Sequence, residues 1–128
     1  MNGESLLLSE LPSAPARRVG MEGRFVGWRG ASGKRHLFSA VPADTLRDYR
    51  SAVAVLAEPT RDGRFLAWAV AEIDAAGRIH SPDGSWPASL PFGAVVFVHF
   101  LSETKRERMA LIEDVFGLPV ETGFALAA

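Results

Sequence analysis

The chain has 128 residues, of which 48% are hydrophobic and 23% charged, with a formal net charge of −1 and no cysteine. That balance excludes a disordered polymer, and the missing thiols exclude disulfides, thiolate catalysis and cysteine-based metal sites. The near-zero charge gives no global pull toward nucleic acid or an anionic membrane.

One domain is expected at this length, large enough to bury roughly two-thirds of its unfolded surface. Twelve arginines against two lysines, with abundant alanine, suggest a GC-rich coding sequence and a bacterial source. The only apolar cluster near the start, Leu6-Leu7-Leu8, is too short for a signal-peptide core, so a cytoplasmic protein is expected.

Residues 1–19 carry no sustained period and include Pro12 and Pro15. They read as an arm, flexible or docked, with Leu6-Leu7-Leu8 as the part that would dock as an extra turn or strand. A single α+β domain is expected over 20–118, and a tail over 119–128.

Between Arg17 and His36 the character changes. Arg17, Arg18, Arg24, Arg29, Lys34 and Arg35 face only Glu22, and five glycines fall in the same window. Arg24 to Arg29 and Lys34 to Val41 read as two strands joined by the glycine-bearing loop Gly30-Ala31-Ser32-Gly33. Pro42 to Tyr49 reads as a short helix, its proline fixing the first turn. Ser51 to Ala57 is a third strand.

Asp62-Gly63 is the strongest hairpin signal in the chain. It leads into a fourth strand over Arg64 to Ile73. Strict alternation there puts Leu66, Trp68 and Val70 on one face and Phe65, Ala67, Ala69 and Ala71 on the other. Ala75-Ala76-Gly77 turns the chain into a short fifth strand, Arg78-Ile79-His80, followed by a proline-rich loop carrying Trp86.

The run from Gly93 to Leu101 is apolar, β-branched and aromatic, the composition of a strand covered on both faces. It is far shorter than the roughly 20 apolar residues that a spanning helix needs, so no membrane contact is expected. Thr104-Lys105-Arg106-Glu107 is a capping box, and Met109, Ile112, Val115 and Phe116 recur on one helical stripe until Gly117 and Pro119 stop it. The predicted fold is α+β. Its mostly antiparallel sheet has five to six strands, in the order β-β-α-β-β-β-β-α, with the C-terminal helix packed on one face.

No catalytic constellation stands out, and no cofactor or metal is expected. His36, His80 and His99 lack the spacing of metal ligands. Gly33-Lys34 fails as a phosphate loop, because Trp28 and Arg35 stand where glycine and Ser or Thr are required. Two anion sites are candidates. One is the basic hairpin, through Arg24, Arg29, Lys34, Arg35 and His36, with the histidine available for acid–base work beside a phosphate. The other is the start of the last helix, where Ser102, Thr104, Lys105 and Arg106 crowd the positive end of the dipole, against the usual charge preference. Trp86, an aromatic in polar surroundings, reads either as a partner contact or as a plug folded onto the core.

The last residues, Ala125-Leu126-Ala127-Ala128, resemble the end of the bacterial tmRNA-encoded degradation tag. The resemblance implies that Leu126, Ala127 and Ala128 are a signal read by ClpXP-type proteases. The expected function is a small non-catalytic binding or regulatory module acting through protein–protein contacts or self-association. The competing expectation is a polyanion- or nucleic-acid-binding protein, including a small ribonuclease, that uses the 17–36 hairpin.

Overall fold

The computed structural model describes residues 7–8 and 25–117. Their strands are β1 (Leu7–Leu8), β2 (Phe25–Arg29), β3 (Arg35–Val41), β4 (Ala52–Pro59), β5 (Phe65–Ile73), β6 (Ile79–His80) and β7 (Val95–His99). One α-helix follows, α1 (Lys105–Phe116), and a short 3-10 helix, Ala43–Asp48, links β3 to β4. The α+β class, the antiparallel sheet and the helix on one face agree with the sequence reading. Leu7–Leu8 docks on β5 as a short extra strand, one of the readings offered for the arm, and brings the sheet of the described residues to seven strands; the first helix differs in being a 3-10 turn.

Three hairpins use one turn design. In the loops 30–34, 60–64 and 74–78 the first residue's amide donates to the fifth residue's carbonyl, and the fourth residue's amide donates back to the first residue's carbonyl. The fourth position is Gly33, Gly63 or Gly77, with φ of 91°, 86° and 87°. That left-handed region carries little penalty only for glycine, which is why the pattern needs glycine at this step.

The strand order is β1-β5-β4-β7-β3-β2, with β6 paired to the end of β5. The β2–β3 and β4–β5 hairpins are therefore not neighbours. The last strand enters between them, pairing Ala40 with Phe97 on one side and Val55 with Phe97 on the other. This central place explains the uninterrupted apolar run that precedes α1, since a strand flanked and covered on all sides has no wet face.

Alternation sorts the sheet into two faces. Trp28, Phe38, Val53, Val55, Val70 and Phe97 point toward α1 and its Met109, Leu111, Ile112 and Val115. The Trp28 indole meets Phe38 edge-on at 5.0 Å between ring centroids, and Phe65 meets Phe97 at 4.8 Å. Fully burying each such side chain contributes about 1.5–3 kcal/mol. The opposite face carries Ala54, Leu56, Val96 and Val98 beneath the 3-10 helix, through Leu46, and beneath the 81–94 loop, through Trp86 and Leu90.

Strict alternation fails once, in β5. Leu56 pairs with Ala69 but Ala57 pairs with Ala67, so Trp68 is the extra residue of a β-bulge. The bulge resets the pleat: Ala67 and Val70 face α1, while Trp68 and Ala69 both serve the other core. The expectation that Trp68 and Val70 share a face is corrected by that one inserted residue.

Helix α1 is fixed at both ends. Thr104 accepts from the Glu107 amide at 3.1 Å while the Glu107 carboxylate accepts from the Thr104 amide at 3.1 Å, the capping box read in the sequence. Gly117 closes the other end at φ 73°, its amide donating to the Glu113 carbonyl. No helix among the described residues is long and apolar enough to cross a membrane.

Candidate functional site

The described residues carry a cleft of about 500 Å³ between the β2–β3 hairpin, the end of β7 and one flank of α1. The hairpin contributes Ser32, Lys34 and His36, and the segment after β7 contributes Leu101 and Ser102 beside His99. Glu107, Ala110, Leu111 and Asp114 form the helical wall.

Asp114 organises one side. Its Oδ1 accepts from the Ser32 amide at 2.8 Å, and its Oδ2 accepts from the Ser32 hydroxyl and from His36 Nε2, both at 2.8 Å. A carboxylate only accepts, so His36 carries its proton on Nε2 and turns Nδ1 away from the pair. The Ala31 amide adds a bond to the Asp114 backbone carbonyl at 2.8 Å. Such closeness requires glycine at position 30, where a Cβ would lie 1.9 Å from Asp114 Oδ2. His36, followed by the Ser32 amide and hydroxyl, holds the Asp114 carboxyl down at about 2.

His99 organises the other side. It is 6% exposed, and its Nδ1 lies 2.9 Å from the Leu37 carbonyl. A carbonyl also only accepts, so the proton sits on Nδ1 and the neutral ring offers a lone pair at Nε2. That lone pair meets the Ser102 hydroxyl at 2.9 Å. Burial lowers the His99 pKa, the Leu37 carbonyl opposes this in part, and the charge of His36 adds to the lowering. The two imidazole rings stand 6.4 Å apart, edge to face.

Beneath the start of the helix lies a buried ion pair. Arg108 Nε donates to Glu72 Oε2 at 2.8 Å, with the side chains 3% and 1% exposed. Arg108 Nη1 also donates to the carbonyls of Ser102 and Glu103, at 3.3 and 2.8 Å. Glu72 Oε1 has no hydrogen-bond partner among the described residues. The arginine thus ties the Ser102 backbone to β5, so the loop bearing the serine is braced from below.

A second feature lies on the other face of the sheet. Continuing the Ser39–Val98 pairing by two residues places Phe100 beside Leu37. Both are 48% exposed, and Phe100 stacks on Tyr49 at 6.0 Å. Arg29 and Arg35 are directly paired across the hairpin and so share this face. The stem of Arg35 lies over Gly27, where a Cβ would come within 2.9 Å of its Cγ.

The residues singled out from sequence are thus distributed between two places. Lys34 and His36 face the cleft, while Arg29 and Arg35 face the exposed apolar pair. Ser102 joins the cleft through His99, and the Thr104 oxygen is engaged as the helix cap. Lys105 and Arg106 are exposed on the first turn of α1 and do not line the cleft. Trp86 is partly buried against the core opposite α1. Arg24, Leu126, Ala127 and Ala128 lie outside the described residues.

Asp114, Ser32 and the cleft role of His99 escaped the sequence reading. Asp114 meets His36 across 78 residues, a separation no local pattern encodes. The remaining signal was Gly30, a glycine ahead of the turn position that demands one. Among the described residues no group of three His, Asp or Glu is placed to hold a metal ion. Comparison with protein-family models, with curated proteins and with solved structures finds no match.

Proposed function

We propose that the protein is a binding module working through protein contacts, with the exposed end of the sheet around Leu37 and Phe100 as its contact surface. The observation that carries this reading is that Leu37 and Phe100 are both half exposed, with Leu37 on the face that Arg29 and Arg35 share. An apolar centre with an arginine border is the composition of an interface rather than of an ordinary wet strand. Leu37 and Phe100 form the apolar centre, so the complementary partner is a protein segment that presents apolar side chains to them and polar groups at its rim.

The test places a photo-crosslinking amino acid at position 37 or 100, or at position 61 in the distant β4–β5 turn as a control. Capture of one protein from 37 and 100 but not 61, lost when Leu37→Glu is introduced alongside position 100, supports the reading. Equal capture at all three positions, or none, overturns it.

A second reading, polyanion binding by the hairpin, is supported by the direct cross-strand placement of Arg29 and Arg35 on one face of the ribbon. It predicts retention on heparin that falls steeply with salt and disappears in Arg29→Ala/Arg35→Ala. Retention that ignores salt removes it. For the chain end, Ala127→Asp/Ala128→Asp lengthens the cellular half-life if the final residues act as a degradation signal.

A further inference from the structure

We propose that the cleft is a chemical site in which Ser102 is a nucleophile, His99 is its general base, and the substrate is a small carboxylic ester. This goes beyond the protein-contact reading and departs from the non-catalytic expectation. It stands on different side chains, on the other side of the sheet.

A serine hydroxyl attacks only when a neighbouring base takes its proton, and the base works only when its lone pair is aimed by a third group. All three parts are present. The Ser102 hydroxyl is 2.9 Å from His99 Nε2, and the Leu37 carbonyl holds the opposite ring nitrogen as the donor. Leu37 belongs to β3 and His99 to β7, two paired strands of the sheet, so ring orientation is set by the fold and not by a mobile loop. Arg108, locked to Glu72, fixes the Ser102 and Glu103 carbonyls and hence the position of the nucleophile.

The walls of the cleft define the substrate class. Leu101, Ala110 and Leu111 make an apolar side suited to a short acyl chain. Lys34, Ser32 and His36 make a polar side, where Lys34 offers positive charge to the oxyanion that develops on attack. Asp114 and Glu107 also border the space and disfavour an acyl chain ending in a carboxylate. A neutral ester of a short acid fits these walls.

The steps balance without any further group except water. The Ser102 oxygen bonds to the carbonyl carbon as its proton passes to His99 Nε2. The bond from that carbon to the alkoxy oxygen then breaks, and the leaving alkoxide takes the proton from His99, giving an alcohol and an acyl-serine. Water attacks the acyl-serine, giving its proton to His99. The serine oxygen leaves and recovers that proton, releasing the carboxylic acid.

The test treats the full chain with a fluorophosphonate probe and maps the adduct by mass spectrometry, then follows p-nitrophenyl butyrate turnover. The expected result is an adduct on Ser102, absent in Ser102→Ala, and turnover reduced at least about 100-fold in His99→Gln. The labelling rate should rise with pH and level off as His99 becomes neutral, a profile that a purely structural hydrogen bond would not produce. Labelling spread over several serines, no label on Ser102, or an unchanged rate in folded His99→Gln overturns the proposal. The adduct map on the unaltered protein decides the matter even where a variant fails to fold.

Discussion

Two histidine–aspartate pairs in this molecule share the same chemistry and do different work. His80 Nε2 meets Asp74 Oδ2 at 2.9 Å, and Asp74 also accepts the amides of Ala76 and Arg78 within its own turn. His36 meets Asp114 at 2.8 Å, and Asp114 also accepts the Ser32 amide, but here the carboxylate comes from α1 and the turn from the hairpin. Both aspartates are held at about 2, with the histidine as the first cause in each case. The pKa values alone do not distinguish them. One pair closes a loop on itself over six residues, and the other fastens a helix to a sheet over 78. Equal electrostatics therefore give unequal architectural consequence, because what matters is which elements the pair connects.

Substitutions can sharpen that contrast. The largest effect is expected at the other tie between α1 and the sheet, the Glu72–Arg108 pair. Removing one partner, as in Arg108→Ala, should cost about 3–5 kcal/mol by denaturant unfolding, because a buried charge is left uncompensated. The double change Glu72→Leu/Arg108→Met should recover most of that loss. Next comes Gly30→Ala, which drives a methyl into Asp114 and should cost about 1–3 kcal/mol. At Gly77 the added methyl would meet the end of Arg50, a flexible side chain, so Gly77→Ala should cost only the left-handed backbone penalty of about 1 kcal/mol. Equal losses at the two glycines would break the comparison.

Smaller effects separate the pairs by location. Asp114→Asn should lower Tm and speed amide exchange at Ala31 and Ser32, whereas Asp74→Asn should speed exchange only within 74–78 and leave α1 unchanged. The pH dependence should come last in size. A carboxylate whose folded value is depressed from 3.8 to about 2 contributes its full stabilisation above pH 3.8 and loses it as the pH falls toward 2. His99 adds a loss at milder acidity. Its folded pKa lies below 6.5, so the unfolded chain takes up the proton first, and stability declines as pH drops from 6.5 toward the folded value. Asp74→Asn/Asp114→Asn should flatten the first slope, and His99→Gln the second.

Local chemistry made much of this fold legible. The capping box at Thr104, the glycine at 63 and the two-sided apolar run at 95–99 were each readable because the residues that define them are neighbours in sequence. Two things were not. The bulge at Trp68 depends on the register between β4 and β5, and an alternating segment does not show where a partner strand skips a residue. The cleft was hidden for a related reason. His36, His99 and Asp114 look unremarkable one at a time, and they meet only because β7 pairs with β3 and α1 packs against the hairpin. His99 sits in the buried β7 strand with both ring nitrogens hydrogen-bonded. What sequence did not reveal is that one of its two bonds reaches the cleft.

The insertion of β7 also has a consequence for how the chain is made. During synthesis the β2–β3 and β4–β5 hairpins emerge first, yet within the sheet they are joined by a strand that arrives later. Until residues 95–99 leave the ribosome, β3 and β4 each present an open rim of backbone donors and acceptors, the kind of edge onto which foreign strands add. A nascent chain stalled before that point should be captured by chaperones or aggregate, and release of the next few residues should end that vulnerability in one step.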